Sequence, residues 1–233
     1  MISNYVLMIK SFFIQAIILT LASCNSSSQQ EQRNQKGQEF DSFWKDYKFS
    51  LQPCTTGAIY SKVKNAWIFG TGFILKDSST IVTAYHLVEN SDSILFICDK
   101  KYLLSILAEF PALDIAILKS PYPISQPLKF DLDILPSVND SIVIIGIENN
   151  SRMHTDGNVL WVKAHDSVLQ PYHLIRFKSI SKKGYSGGPI LNMDGKVIGI
   201  ILRGIYRDKV TGLSEGTAIS IDFIKFVEVP WKN

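Results

Sequence analysis

Apolar residues change their spacing several times along this chain, and those changes divide it. Between 57 and 120, short apolar or alternating runs fall at 58–63, 66–75, 80–84, 93–98, 102–109 and 115–119, separated by Gly, Asn, Asp and Lys. Runs of this length, rich in β-branched and aromatic residues and without a helical period, read as strands. Gly70 and Gly72 break the second run, so 66–75 reads as a pair of strand segments. A second series follows at 141–147, 159–163, 174–179, 190–191, 196–202 and 217–221, with Asn192–Gly195 as a hairpin turn. Between the two series Pro121, Pro123, Pro127 and Pro136 crowd a stretch suited to a crossing linker. The pattern predicts an all-β fold of two antiparallel six-stranded barrels, about 55–120 and 138–221, with a short C-terminal helix over 222–229.

Ahead of this region the pattern differs. In residues 1–23 the sole charge is Lys10, and 11–22 is mostly apolar, interrupted by Ser11, Gln15 and Thr20. That run is short for a bilayer span, which takes about 20 apolar residues, and reads as an export signal. It ends in Leu21-Ala22-Ser23-Cys24. Residues 25–38 contain no apolar side chain and read as a flexible tether. Over 40–51 the apolar positions 40, 43, 44, 47 and 49 form a mixed pattern. It is read as a short amphipathic helix, with a wrapped arm as the alternative.

Composition narrows the function. Apolar residues at 46% and charged residues at 19% describe a globular protein with a sizeable core. A formal charge of +3 is too small to argue for nucleic acid, and no basic stripe or repeat is present. His154, His165 and His173 lie apart from one another and from cysteine, so no metal and no cofactor are expected. Cys54 and Cys98 sit behind an export signal, where a disulfide is chemically allowed, but two buried thiols is the plainer reading.

The chemistry concentrates in Lys183-Gly184-Tyr185-Ser186-Gly187-Gly188-Pro189. The glycine two places before the serine lets the chain turn sharply, aiming its own N–H and that of Ser186 at one point. The glycines after the serine leave room for a substrate carbonyl. A base and an orienting carboxylate stand upstream: Thr83-Ala84-Tyr85-His86 puts an imidazole at a strand end, and Leu113-Asp114-Ile115-Ala116-Ile117-Leu118 puts a carboxylate at the head of an apolar strand.

These three blocks, TAYH, LDIAIL and GYSGGP, resemble the signature blocks of the chymotrypsin-fold (trypsin-like) serine peptidases, in that family's order of His, Asp and Ser. The likeness covers about 57–227 and is nearest to the bacterial HtrA/Deg-type branch, without its PDZ domain. Residues 70–75 (GTGFIL) resemble the block that lies beneath the histidine strand. The resemblance implies Ser186 as nucleophile, His86 as general base and acid, Asp114 as its orienting partner, and the N–H groups of Gly184 and Ser186 as oxyanion hole. It implies pocket walls from Ile180, from Ile200 to Leu202, and from Gly216 to Ala218, an apolar lining for small or medium aliphatic side chains. Lys182 and Arg203 offer a second reading, an acidic preference. Leu21–Cys24 resembles the lipobox of bacterial lipoproteins, with Cys24 lipidated and the chain divided into signal peptide (1–23), tether (24–39) and peptidase domain (40–233). Tyr185 departs from the family, which carries Asp or Asn there; so do Tyr85 for Ala and Lys182-Lys183 for Asn-Pro.

The whole sequence therefore reads as a serine endopeptidase of the bacterial cell envelope, held to a membrane by a lipid and acting on protein or peptide. The alternatives are a catalytically silent peptide-binding protein on the same fold and an esterase using the same triad. Nothing in the sequence sets the oligomeric state.

Overall fold

The computed structural model describes residues 54–149, 151–165, 172–180, 182–207 and 214–227. The leader, Cys24, the tether and the helix expected over 40–51 lie outside the described residues. The first six strands are β1 (Thr56–Val63), β2 (Ala66–Ile74), β3 (Thr80–Ala84), β4 (Ser93–Ile97), β5 (Lys101–Phe110) and β6 (Ile115–Lys119). They close into an antiparallel barrel in the order β1-β2-β3-β6-β5-β4. The next six are β7 (Ser141–Glu148), β8 (Ser151–His165), β9 (Tyr172–Ser179), β10 (Pro189–Leu191), β11 (Val197–Arg207) and β12 (Ser214–Ser220). They close a second barrel in the order β10-β11-β12-β9-β8-β7. Closure gives each of the twelve described strands a partner on both sides. Each has its own core, around Ile59, Ile81, Phe96 and Leu118 in the first and around Ile144, Ile175, Phe177 and Ile201 in the second. β3 and most of β6 are buried throughout, which is why TIVTA and IAIL are nearly continuous apolar runs instead of alternating ones.

Three expectations need correction. First, β2 runs unbroken through Gly70 and Gly72. Gly70 is there because Leu87 and the Ser186 carbonyl occupy the space a β-carbon would take. Second, the expected short C-terminal helix is present but as a 3-10 helix, Ile221–Lys225, that begins one residue earlier than 222; of the rest of the expected range, 228 and 229 lie outside the described residues. Ile221, Asp222 and Phe223 are all buried, and three successive inward residues suit a turn tucked into a barrel end, not one face of a surface helix. Third, Cys54 and Cys98 form a disulfide with Cα atoms 5.2 Å apart. Cys54 precedes β1 and Cys98 follows β4, and Ala58 pairs with Ile97 across those strands, which brings their ends together. The bridge closes a separation of 44 residues, for which chain entropy gives about 4 kcal/mol. Replacing both cysteines by serine should lower unfolding free energy by about that amount in a denaturant titration, and reductant should have no further effect on the double variant.

The proline-rich crossing joins both barrels. The Leu128 N–H donates to the Ile74 carbonyl at 3.0 Å, and the Val197 N–H donates to the Lys129 carbonyl at 2.8 Å. Lys196 pairs with Asp131 of the crossing at 2.9 Å.

Candidate active site

His86 lies in a 3-10 turn, Tyr85–Leu87, that follows β3 directly. Asp114 caps a second such turn, Pro111–Leu113, just before β6. β3 and β6 pair with Ala84 opposite Ile115, so the two turns emerge side by side. Asp114 takes the left-handed conformation, φ 57°, one that aspartate tolerates better than most side chains. In it, the Asp114 carbonyl accepts the Tyr85 N–H at 2.9 Å. Asp114 Oδ1 accepts the His86 backbone N–H at 2.9 Å, and its two carboxylate oxygens lie 3.0 and 2.8 Å from His86 Nδ1. A ring with its Nδ1 proton on that carboxylate leaves Nε2 as a proton acceptor. The His86 side chain is 43% exposed and that of Asp114 20%, so the ring looks outward from a shielded carboxylate.

The serine turn is built differently, by packing on both barrels. Gly184, at φ 102°, and Gly187, at φ 81°, adopt backbone conformations closed to L side chains. The Tyr185 N–H bonds to the Lys182 carbonyl at 3.2 Å, the Gly187 N–H to Ile201 at 2.7 Å, and the Gly188 N–H to Tyr185 at 3.0 Å. Among the described residues, the N–H groups of Gly184 and Ser186 find no backbone acceptor. On the first-barrel side the Thr71 N–H donates to the Ser186 carbonyl at 2.8 Å, and a β-carbon at Gly187 would overlap Thr83 and Ala84, the residues leading to His86. The turn thus lies against the strand that carries the histidine. Among the described residues, no hydrogen bond joins the Ser186 hydroxyl to the His86 ring.

On the second-barrel side the anchor is Tyr185, 2% exposed and part of the core cluster. Its ring covers Gly146 of β7, where a β-carbon would overlap it. Burial and the nearby Glu148 charge raise the pKa of its hydroxyl. Where the family uses a polar side chain before the serine, this chain holds the turn by apolar packing. Gly146→Ala should therefore force the ring out, with a loss of about 1–3 kcal/mol in a thermal melt and a matching loss of probe reactivity at Ser186.

The two lysines that depart from the family pattern are engaged. Lys182 pairs with Glu148 at 2.8 Å, and the Lys183 ammonium stands 5.2 Å over the Phe69 ring. Lys182 is thus committed to a neighbour, whereas Arg203 is exposed. Of the expected pocket residues, Ile180 is exposed and Leu202 half-buried. Ile200 is fully buried beside Pro189 and Ile219. The Phe177 ring occupies the space above Gly216. Ala218 packs in the second core. The structure thus brings His86 and Asp114 together, docks the Ser186 turn against the strand that leads to His86, and builds part of the expected pocket wall into the barrel.

A family model for the trypsin-like peptidase domain matches residues 70–200, over half of the chain and including all three blocks. The chain belongs to the trypsin-like peptidase family. Among curated relatives of this trypsin-like peptidase is a probable periplasmic serine endoprotease, DegP-like, from Chlamydia muridarum, 29% identical over 139 residues, which cover 56% of this chain and 27% of that protein. The magnetosome formation protease MamE of Paramagnetospirillum magneticum is 28% identical over 141 residues, covering 56% of this chain and 19% of that protein. The chain thus spans about a quarter or less of the length of these two relatives. In solved structures the fold is matched by the Rv3671c protease of M. tuberculosis in its active form. There the TM-score is 0.64 at 19% identity, over 74% of this chain and 78% of that one. The trypsin-like peptidase shares that double-barrel, chymotrypsin-type fold.

Two features of the site escape sequence reasoning. Glu148, the partner of Lys182, follows an apolar strand and carries no signal of its own. Thr71 is different: a polar residue between two glycines in an otherwise apolar run, GTGFIL, is a visible anomaly.

Proposed function

We propose that the protein is a serine endopeptidase that hydrolyses peptide bonds through Ser186, His86 and Asp114. The observation that carries this reading is the His86–Asp114 contact at 2.8 Å, at the mouth of the strand on which the Ser186 turn rests. In this reading the Ser186 hydroxyl attacks the scissile carbonyl as His86 Nε2 takes its proton, and the bond to the leaving amine breaks as His86 returns that proton; a water then attacks the resulting Ser186 ester, giving its proton to His86, which passes it to Ser186 as the acid leaves. Asp114 holds the ring in the tautomer that can do so and stabilises the imidazolium. The N–H groups of Gly184 and Ser186 receive the negative charge that develops on the carbonyl oxygen. Ile180 and Leu202, the expected wall residues that keep exposed surface, favour a small or medium aliphatic side chain beside the cleaved bond. A fluorophosphonate probe should form one adduct, at Ser186. A wild-type protein that takes no adduct at Ser186 under conditions that label related enzymes is not a peptidase of this kind.

The lack of a direct Ser186–His86 hydrogen bond favours a second reading, a peptide-binding protein that no longer turns over. Peptide binding unchanged by Ser186→Ala, with no cleavage by the wild type, would support that one.

We further propose a lipid anchor at Cys24 that tethers the peptidase to a membrane of the bacterial envelope. The leader, the Leu21–Cys24 sequence and the apolar-free stretch after it support this, as does the periplasmic description of the Chlamydia relative. Among the described residues no helix is long and apolar enough to cross a membrane. Cys24→Ser should move the protein from the membrane to the soluble fraction and abolish incorporation of a labelled fatty acid.

A further inference from the structure

We propose that Thr71 is a positioning residue for the oxyanion-binding turn, acting through its buried hydroxyl; this rests on the peptidase reading above. Thr71 is wholly buried, and both hydrogen-bonding roles of its hydroxyl are used. The hydroxyl donates to the Gly184 carbonyl at 2.5 Å and accepts the Ile147 N–H of β7 at 2.9 Å. Its backbone is equally committed: its N–H goes to the Ser186 carbonyl at 2.8 Å, and its carbonyl accepts the Thr83 hydroxyl at 2.7 Å. One residue of the first barrel thereby links the histidine strand, the serine turn and a strand of the second barrel.

The consequence for Gly184 is specific. A glycine has a wide choice of backbone angles, and nothing in its own side chain selects the one that aims its N–H outward. The Thr71 hydroxyl fixes the carbonyl of Gly184, and the Thr71 amide fixes the carbonyl of Ser186. Those carbonyls belong to the 184–185 and 186–187 peptides, so Thr71 holds the plane that follows each residue and thereby limits the backbone angles that decide where the N–H groups of Gly184 and Ser186 point. Tyr185 holds the turn down onto the second barrel, and Thr71 sets its rotation. Valine has nearly the same shape but can neither donate nor accept, so the Gly184 carbonyl and the Ile147 N–H would each lose a partner in the interior, and Gly184 would be released to turn.

The test compares Thr71→Val and Thr71→Ser in the full chain, using fluorescein-labelled casein and a fluorophosphonate probe. Misplacing an oxyanion donor costs about 100-fold in turnover. Thr71→Val should therefore lower kcat and the phosphonylation rate at Ser186 by about 100-fold, with KM changed by less than about threefold. The acid limb of the pH–rate profile should keep its midpoint, because Thr71 does not touch His86. Thr71→Ser, which restores the donor, should stay within about threefold of wild type. Wild-type kcat in Thr71→Val, or an equal loss in Thr71→Ser, overturns the proposal while leaving the peptidase reading intact. A wild type that neither cleaves casein nor takes the probe overturns both. Should the valine variant not fold, Thr71→Ala removes the donor with less bulk and is held to the same kcat and KM outcomes.

Discussion

Ser186→Ala is expected to abolish fluorophosphonate labelling and to lower kcat by about six orders of magnitude, the loss seen when the nucleophile of such a triad is removed. The melting temperature should stay close to that of the wild type. The interactions that hold this turn come from backbone groups and from a neighbour: the Ser186 carbonyl on the Thr71 N–H, the Gly187 N–H on Ile201, and the Tyr185 ring on Gly146. The hydroxyl takes no part in them. Its loss removes the attacking atom and leaves the turn standing. A variant that keeps even one per cent of wild-type turnover would place the nucleophile elsewhere.

Asp114→Asn should be nearly as severe, about 10⁴-fold in kcat near neutral pH, for a reason visible in the hydrogen bonds. One carboxylate oxygen already accepts the His86 backbone N–H at 2.9 Å. In the asparagine variant that contact claims the single remaining oxygen, so the side-chain NH₂ faces His86 Nδ1. An NH₂ can only donate, so Nδ1 becomes the acceptor and the ring proton moves to Nε2, the nitrogen that has to receive the Ser186 proton. The fold should survive, since asparagine accepts the left-handed backbone at φ 57° as readily as aspartate. Circular dichroism matching wild type, with kcat reduced by less than about tenfold, would remove Asp114 from the mechanism.

Much of this architecture is written in the spacing of apolar residues. The twelve strands follow from it because a barrel wall demands β-branched runs and Gly, Asn and Asp turns at short intervals. The exceptions each have a physical cause. The first half of β8, Ser151-Arg152-Met153-His154-Thr155-Asp156-Gly157-Asn158, is mostly polar and only partly covered, so it has no apolar rhythm, and its extended form comes from pairing with β7. The Cys54–Cys98 bridge depends on where β1 and β4 end in space, which spacing along the chain does not encode. Tyr185 reads as a departure from a family pattern, and its burial against Gly146 follows from a contact between segments nearly forty residues apart. His86, Asp114 and Ser186 were legible as residue types in a familiar order. The device that orients the serine turn, a threonine in the opposite barrel, was not, because its role lies in partners at positions 147 and 184.

The crossing between the barrels has a mechanical consequence. Leu128 is tied to Ile74 and the adjacent Lys129 to Val197, so neighbouring residues of one peptide are sewn to opposite walls of the molecule. A joint of that kind pins the two cylinders together at adjacent residues, so any parting of the barrels at that point has to break one of the two hydrogen bonds.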